Sequence, residues 1–234
     1  MQKYKFSPVE ILGLVILAGI VGYYFIFLKT YQTGFKANGP VTTFEGIVLD
    51  SALFKVRYPL GITITKTGGL EMSIIEPGSQ NRLTSSVSLD RTTRLLDQNG
   101  DRIKFSSLKN RFEKGVIAKV TGKYWSGWEG GSRVLRIYAS EVRIVSDSSW
   151  VSKLNINLDD LLNSKTCKYL MVDKNQVTIF FSNFEAYSKF KLDDEIGYLY
   201  IGNPDDRTWY ACVRLERLWI LSQNPEIKSI KPLY

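Results

Sequence analysis

The sequence predicts a mainly β protein carried on a single N-terminal transmembrane helix, with a small β-barrel after the helix and a second, related, smaller β domain after the barrel. Three observations predict it. Residues 9–28, VEILGLVILAGIVGYYFIFL, form an apolar run whose one ionisable residue is Glu10. From Pro40 onward, β-branched and aromatic residues recur in short stretches broken by glycine, proline and asparagine. One such pattern also returns at a shift of 76 residues. The expected division is an anchor over 1–28, a linker over 29–40, the barrel over 41–149 and the second β domain over 150–234.

At ~1.5 Å of rise per residue, the run over 9–28 spans the ~30 Å hydrocarbon core of a bilayer. Ser7 suits a helix cap, Pro8 the first helical position and Glu10 the capping-box position three residues after the cap. A cleaved leader has a shorter apolar core and a small-x-small site after it. Here the run closes on Tyr23, Tyr24, Phe25 and Phe27, then Lys29, the composition of a membrane interface. Lys3 and Lys5 before the helix balance Lys29 and Lys36 after it, and the N-terminal amine tips the count toward a cytoplasmic N-terminus. The expectation is therefore a single-pass protein of the plasma (inner) membrane with extracytoplasmic C-terminal domains. Ala18 and Gly22 make a small-xxx-small pair through which two helices can associate.

The net charge of +8 is uneven: +3 over residues 1–40, +5 over 41–149 and zero over 150–234. The basic excess near the membrane suits anionic lipid, nucleic acid or an anionic polymer, and equally a solvated basic face. Histidine is absent, which removes Ser-His-Asp and Cys-His catalysis and imidazole metal ligation together. Cys167 and Cys212 form one disulfide if their half faces an oxidising compartment, and are two buried thiols otherwise.

Strands are expected over residues 44–58 and 62–75, interrupted at Gly68 and Gly69. LLDQNGDRIKFSSL, residues 95–108, carries the hairpin signal Asn99-Gly100 and falls, 76 residues on, over MVDKNQVTIFFSNF, residues 171–184. Each copy leads to a short helical turn, opened by Ser106 or by Ser182 with Glu185 in capping-box position. VIAKVTG at 116–122 falls over IGYLYIG at 196–202. In the last strand of the barrel the apolar face runs Leu135, Ile137, Ala139 and then Val142, Ile144, a change of parity that predicts a bulge. Ala211, Val213, Leu215 followed by Leu218, Ile220 repeat that change and predict a second one.

With its D-x-x-G hairpin, a short helix ending in Lys114-Gly115 and a V-x-V-x-G strand, DQNGDRIKFSSLKNRFEKGVIAKVTGKYW resembles the OB-like small β-barrel domains of bacterial envelope proteins. The likeness covers residues 41–146. It implies a five-stranded Greek-key barrel and carries over no functional residue. Residues 150–234 depart from it, with residues 158–163 reading as a helical turn, and suggest a truncated or SH3-like barrel.

The candidate ligand-binding residues are Lys119, Lys123, Tyr124, Trp125, Trp128, Arg133 and Arg136, aromatic faces beside cations around a glycine-rich loop that joins the last two strands of the barrel. Arg91, Arg94, Arg102 and Lys104 add to the basic surface. Asp193, Asp194 and Glu195 lie at one end of an expected strand and Asp205 and Asp206 at the other, some ~20 Å away, so they predict no shared metal site. No catalytic set and no cofactor are expected. Two functions suit this sequence: a non-enzymatic, membrane-anchored binding or scaffolding protein that holds a protein partner near the bilayer, or a binder of single-stranded nucleic acid or anionic polymer.

Overall fold

A computed structural model describes residues 39–57, 63–77, 82–164, 167 and 174–233, together with Gly19 in helical conformation. The expected anchor, apart from Gly19, and nearly all of the expected linker lie outside the described residues; among the described residues, no helix is long and apolar enough to cross a membrane. Contacts divide the chain into Met1–Ala37 and Asn38–Tyr234, and nearly all of the described residues belong to the second unit.

The unit begins with β1 (Val41–Arg57), β2 (Thr63–Ile75) and β3 (Arg82–Leu89), joined as an antiparallel meander. The short β4 (Arg94–Leu96), a 3-10 turn (Phe105–Ser107) and the helix Leu108–Arg111 come next, then β5 (Ile117–Glu129) and β6 (Ser132–Ser146). β1 pairs antiparallel with β5, β5 with β6, and β6 returns to pair parallel with β3. That circuit closes a barrel from β1, β2, β3, β5 and β6, with the helical turn bridging the third and fourth strands of the ring. Its order is that of an OB-fold, so the resemblance in the sequence holds for the barrel itself.

Alternation explains the closure. Along β6, Leu135, Ile137 and Ala139 are buried, Ser140 is exposed, and Val142 and Ile144 are buried again. The register confirms that Ser140 is the extra residue, since Thr121 faces Glu141 while Gly122 faces Ala139. Its hydroxyl donates to the Thr121 carbonyl across the bulge at 3.0 Å. β6 also changes partner there, facing β3 over Leu135 to Tyr138 and β4 over Glu141 to Arg143. Contrary to expectation, β2 runs unbroken through Gly68 and Gly69. A β-carbon on Gly68 would lie 2.9 Å from the Leu108 side chain, so the glycine makes room for the helix over the barrel.

Beyond the barrel come the helices Ser149–Lys153 and Leu158–Leu162, then β7 (Asn175–Phe181), the helix Phe184–Lys189, β8 (Gly197–Asn203) and β9 (Thr208–Val213). A 3-10 turn (Leu215–Arg217), the helix Leu218–Leu221 and β10 (Ile227–Pro232) complete the described chain. The strands form an antiparallel sheet in the order β10-β7-β9-β8, open among the described residues where a second barrel was expected. The second parity change is not a bulge at all. Leu215, Leu218 and Leu221 are buried at intervals of three because the chain turns helical there, a spacing that imitates a slipped strand. The caps differ as well: Asn183, not Ser182, opens the helix Phe184–Lys189 by accepting from the Ala186 N–H at 2.8 Å. The expected turn over 158–163 is present, with Asn157 capping it.

The sheet packs against the outer face of the barrel where β1 meets β5. Ile47 and Ile117 share its core with Val177, Ile179, Ala211 and Leu218, and Trp150 sits fully buried among them. The Trp150 indole N–H donates to the Gly115 carbonyl at 2.8 Å, and Gly115 adopts a φ of 95°, where a side chain would be strained. Arg82 of β3 pairs with Glu216, and Arg217 with Glu45 of β1, so ion pairs rim the same junction. Cys167 and Cys212 are joined as a disulfide with a Cα–Cα distance of 6.2 Å.

Trp150→Ala is expected to cost about 3–5 kcal/mol, and urea melts followed at both the barrel and the sheet should shift together, since both bury this indole. Replacing Cys167 and Cys212 by serine is expected to cost about 2–4 kcal/mol, the range for releasing a loop of this size in the unfolded chain, measured as a drop in the urea midpoint equal to that of the reduced wild type.

Candidate binding surface

The stretch expected to be a loop, residues 124–131, is mostly strand: β5 continues to Glu129 and β6 resumes at Ser132. Only Gly130 and Gly131 turn, at φ values of 56° and 84°, the pair of positive angles a two-residue hairpin requires. β1 begins opposite Lys123 and β3 pairs with β6 from Leu135 onward, so the hairpin beyond Ser126 and Leu135 projects past the end of the barrel.

Strand parity then divides the candidate residues into two faces. Lys119, Lys123 and Trp125 point outward from β5, and Arg136 stands directly across from Trp125 on β6. Tyr124 points inward, where its ring meets Phe44 edge-on at 5.4 Å as part of the barrel core. Trp128 and Arg133, opposite one another, share that inward parity but lie past the barrel end, and Trp128 is 70% exposed. The seven residues therefore make an outer row, a hairpin tip and one core residue rather than one cluster.

The outer row is wider than the sequence indicated. Lys123 faces Val41 on β1 and Tyr138 on β6, and Tyr138 faces Ser88 on β3. Trp125 faces Arg136, which faces Ser86. Directly opposed side chains lie about 4.5–5.5 Å apart at Cβ, so these rows form a continuous band across β1, β5, β6 and β3. The Trp125 ring lies over Gly127, where a β-carbon would collide with it. Val41, Ser86, Ser88 and Tyr138 were not anticipated, because only the register with β1 and β3 brings them beside Lys123 and Arg136.

Carboxylates sit among the cations. Glu45 lies 3.7 Å from Lys119, Glu129 is 2.6 Å from Arg136, and Glu141 pairs with Arg94. Arg133 reaches the buried Glu76 at 2.8 Å, and the Ser126 hydroxyl donates to the same carboxylate, tying the hairpin to the end of β2. Burial pushes the Glu45 carboxyl above its usual range, against the pull of Arg217 and Lys119. Among the described residues no group of three histidine, cysteine, aspartate or glutamate side chains is placed to hold a metal ion. What the surface offers is aromatic faces, hydroxyls and partly neutralised cations.

No family model matches this chain, and no curated protein matches it. Among solved structures, the dimeric N-terminal domain of PriB protein from Thermoanaerobacter tencongensis is similar to 46% of this chain and 97% of its own length, at 14% identity and a TM-score of 0.27. The OB assignment rests on the strand order described above.

A raised Glu45 means that folding favours its protonated form, so the associated stability is full at low pH and is lost as pH rises through the raised value. Glu45→Gln is expected to flatten the stability curve from the ordinary carboxylate range upward, as read from urea midpoints at successive pH values.

Proposed function

We propose that this protein is a non-enzymatic, membrane-anchored binding or scaffolding protein that holds a protein partner close to the bilayer, within an envelope assembly. The observation that carries this reading is the pairing of four of the barrel's cations. Lys119, Arg136, Arg133 and Arg94 each meet a carboxylate, which lowers the electrostatic reward for gathering phosphates. Left facing outward are Trp125, Tyr138, Val41 and serine hydroxyls, groups suited to a protein surface. The apolar length of residues 9–28 supports the tether, and Ala18 with Gly22 supports helix pairing within it. The disulfide supports an oxidising compartment for the folded part, hence a cytoplasmic N-terminus at the inner membrane.

A second reading, binding of single-stranded nucleic acid or anionic polymer, is favoured by one observation. Lys123, Trp125 and Arg136 share the outer face of an OB barrel whose segment carries a net charge of +5.

Two measurements on the full chain in nanodiscs separate these readings. A photoreactive group at position 125 is expected to give a discrete protein adduct in membranes, and its absence would count against the scaffold. Titration with a single-stranded oligonucleotide is expected to show no saturable binding at low salt. Binding that weakens more than about tenfold between 50 and 200 mM salt would favour the second reading instead.

A further inference from the structure

The second sheet has two unlike edges. At β10, the Ile230 N–H donates to the Leu154 carbonyl at 3.0 Å, and the strand closes on Pro232, which has no N–H to offer. At the other edge β8 pairs, among the described residues, with β9 alone. Its side chains are apolar where an edge strand is ordinarily charged: Tyr200 is 42% and Ile201 56% exposed. Tyr200 is the extra residue of a bulge, so two consecutive side chains face solvent beside Tyr210, whose ring lies 6.2 Å from that of Tyr200.

Both ends of this strand are acidic. Asp193, Asp194 and Glu195 precede it, Asp205 and Asp206 follow it, and all five are exposed. None forms an ion pair with a described residue. Asp193 and Asn203 instead hold their turns through backbone N–H groups. In the barrel carboxylates neutralise cations, whereas no described cation pairs with these five.

We propose that β8 is a docking edge for an extended segment of another protein, with an apolar or aromatic middle and lysine or arginine at both ends. This rests on the scaffold reading and names the surface and the partner's chemistry. Charge selects the occupant. A second copy of β8, laid antiparallel, would set Asp193, Asp194 and Glu195 against Asp205 and Asp206, and laid parallel would set each cluster against itself. Either arrangement opposes self-association. A segment with a basic residue at each end of ~20 Å of strand meets both clusters at once. Strand addition supplies main-chain hydrogen bonds, while the bulge interrupts the ladder and gives selectivity to the side chains around Tyr200, Ile201 and Tyr210.

The test uses the full chain in nanodiscs and two fluorescent peptides, each with seven alternating valine and threonine residues, matching the length of β8. One has two arginines at each end and the other two glutamates. Saturable binding of the arginine peptide is expected, weakened about tenfold by Ile201→Glu at its exposed position and by added salt, with the glutamate peptide bound at least that much more weakly. The proposal is overturned if neither peptide binds, if both bind alike, or if Ile201→Glu leaves the dissociation constant unchanged. It is also overturned if sedimentation shows a dimer that Ile201→Glu dissolves, which would make the occupant a second copy. Adducts at position 125 without peptide binding would sink this edge and leave the scaffold standing; the absence of both would sink the two together.

Discussion

The parallel contact between β3 and β6 is the constraint on which the barrel depends. Five strands joined only through hairpins would leave two free edges, each a row of unpaired backbone groups. Bringing Ser85 to Ser88 alongside Leu135 to Tyr138 removes both edges. For that to happen β6 must serve three neighbours, which it does by stepping over one residue at Ser140 and passing from β3 to β4. Val87, Leu135, Ile137 and Val142 then face one interior, with Leu108 and Phe112 closing over it. The outer band inherits its spacing from the same closure, since Ser86 and Ser88 reach Arg136 and Tyr138 only because the two strands meet.

The following sheet packs against the outer face of β1 and β5, at the end where β5 begins. Trp150 fills that space with its polar edge satisfied by the Gly115 carbonyl, while Arg82, Glu216, Arg217 and Glu45 bind the rim. Several of these groups are charged and little exposed, an arrangement that contributes orientation more than net stability. The two cores are therefore not independent: Ile47 and Ile117 belong to barrel strands yet pack into the sheet's interior.

Much of the barrel was readable from the residues. The parity change at Ser140 is visible because a strand can alter which side chains face inward only by inserting a residue, and β1, β2 and the glycine after the helical turn are marked by ordinary turn chemistry. β3 was not readable. Its exposed positions are Thr84, Ser86 and Ser88 and its buried ones include Ser85, so small polar residues on both faces erase the alternation. The glycines around Trp125 imitate a loop, yet Gly127 sits in a paired strand, making room for a ring. Residues 215–221 misled for the opposite reason, since leucines three apart satisfy a helix and a slipped strand alike. The outer band was half visible: strand parity places Lys123 and Trp125, but Val41 and Tyr138 join them only through long-range register.

The turn at Gly130 and Gly131 and the bulge at Ser140 lie on one hairpin, yet they tolerate change very differently. A residue added or lost at 140 would invert every side chain downstream in β6, exchanging Val142 and Ile144 for Glu141 and Arg143 in the interior. The glycine turn lies outside both ladders, past the barrel's end. A change of length is therefore tolerated there, and an epitope or fluorophore can be grafted at that tip without disturbing the closed ring.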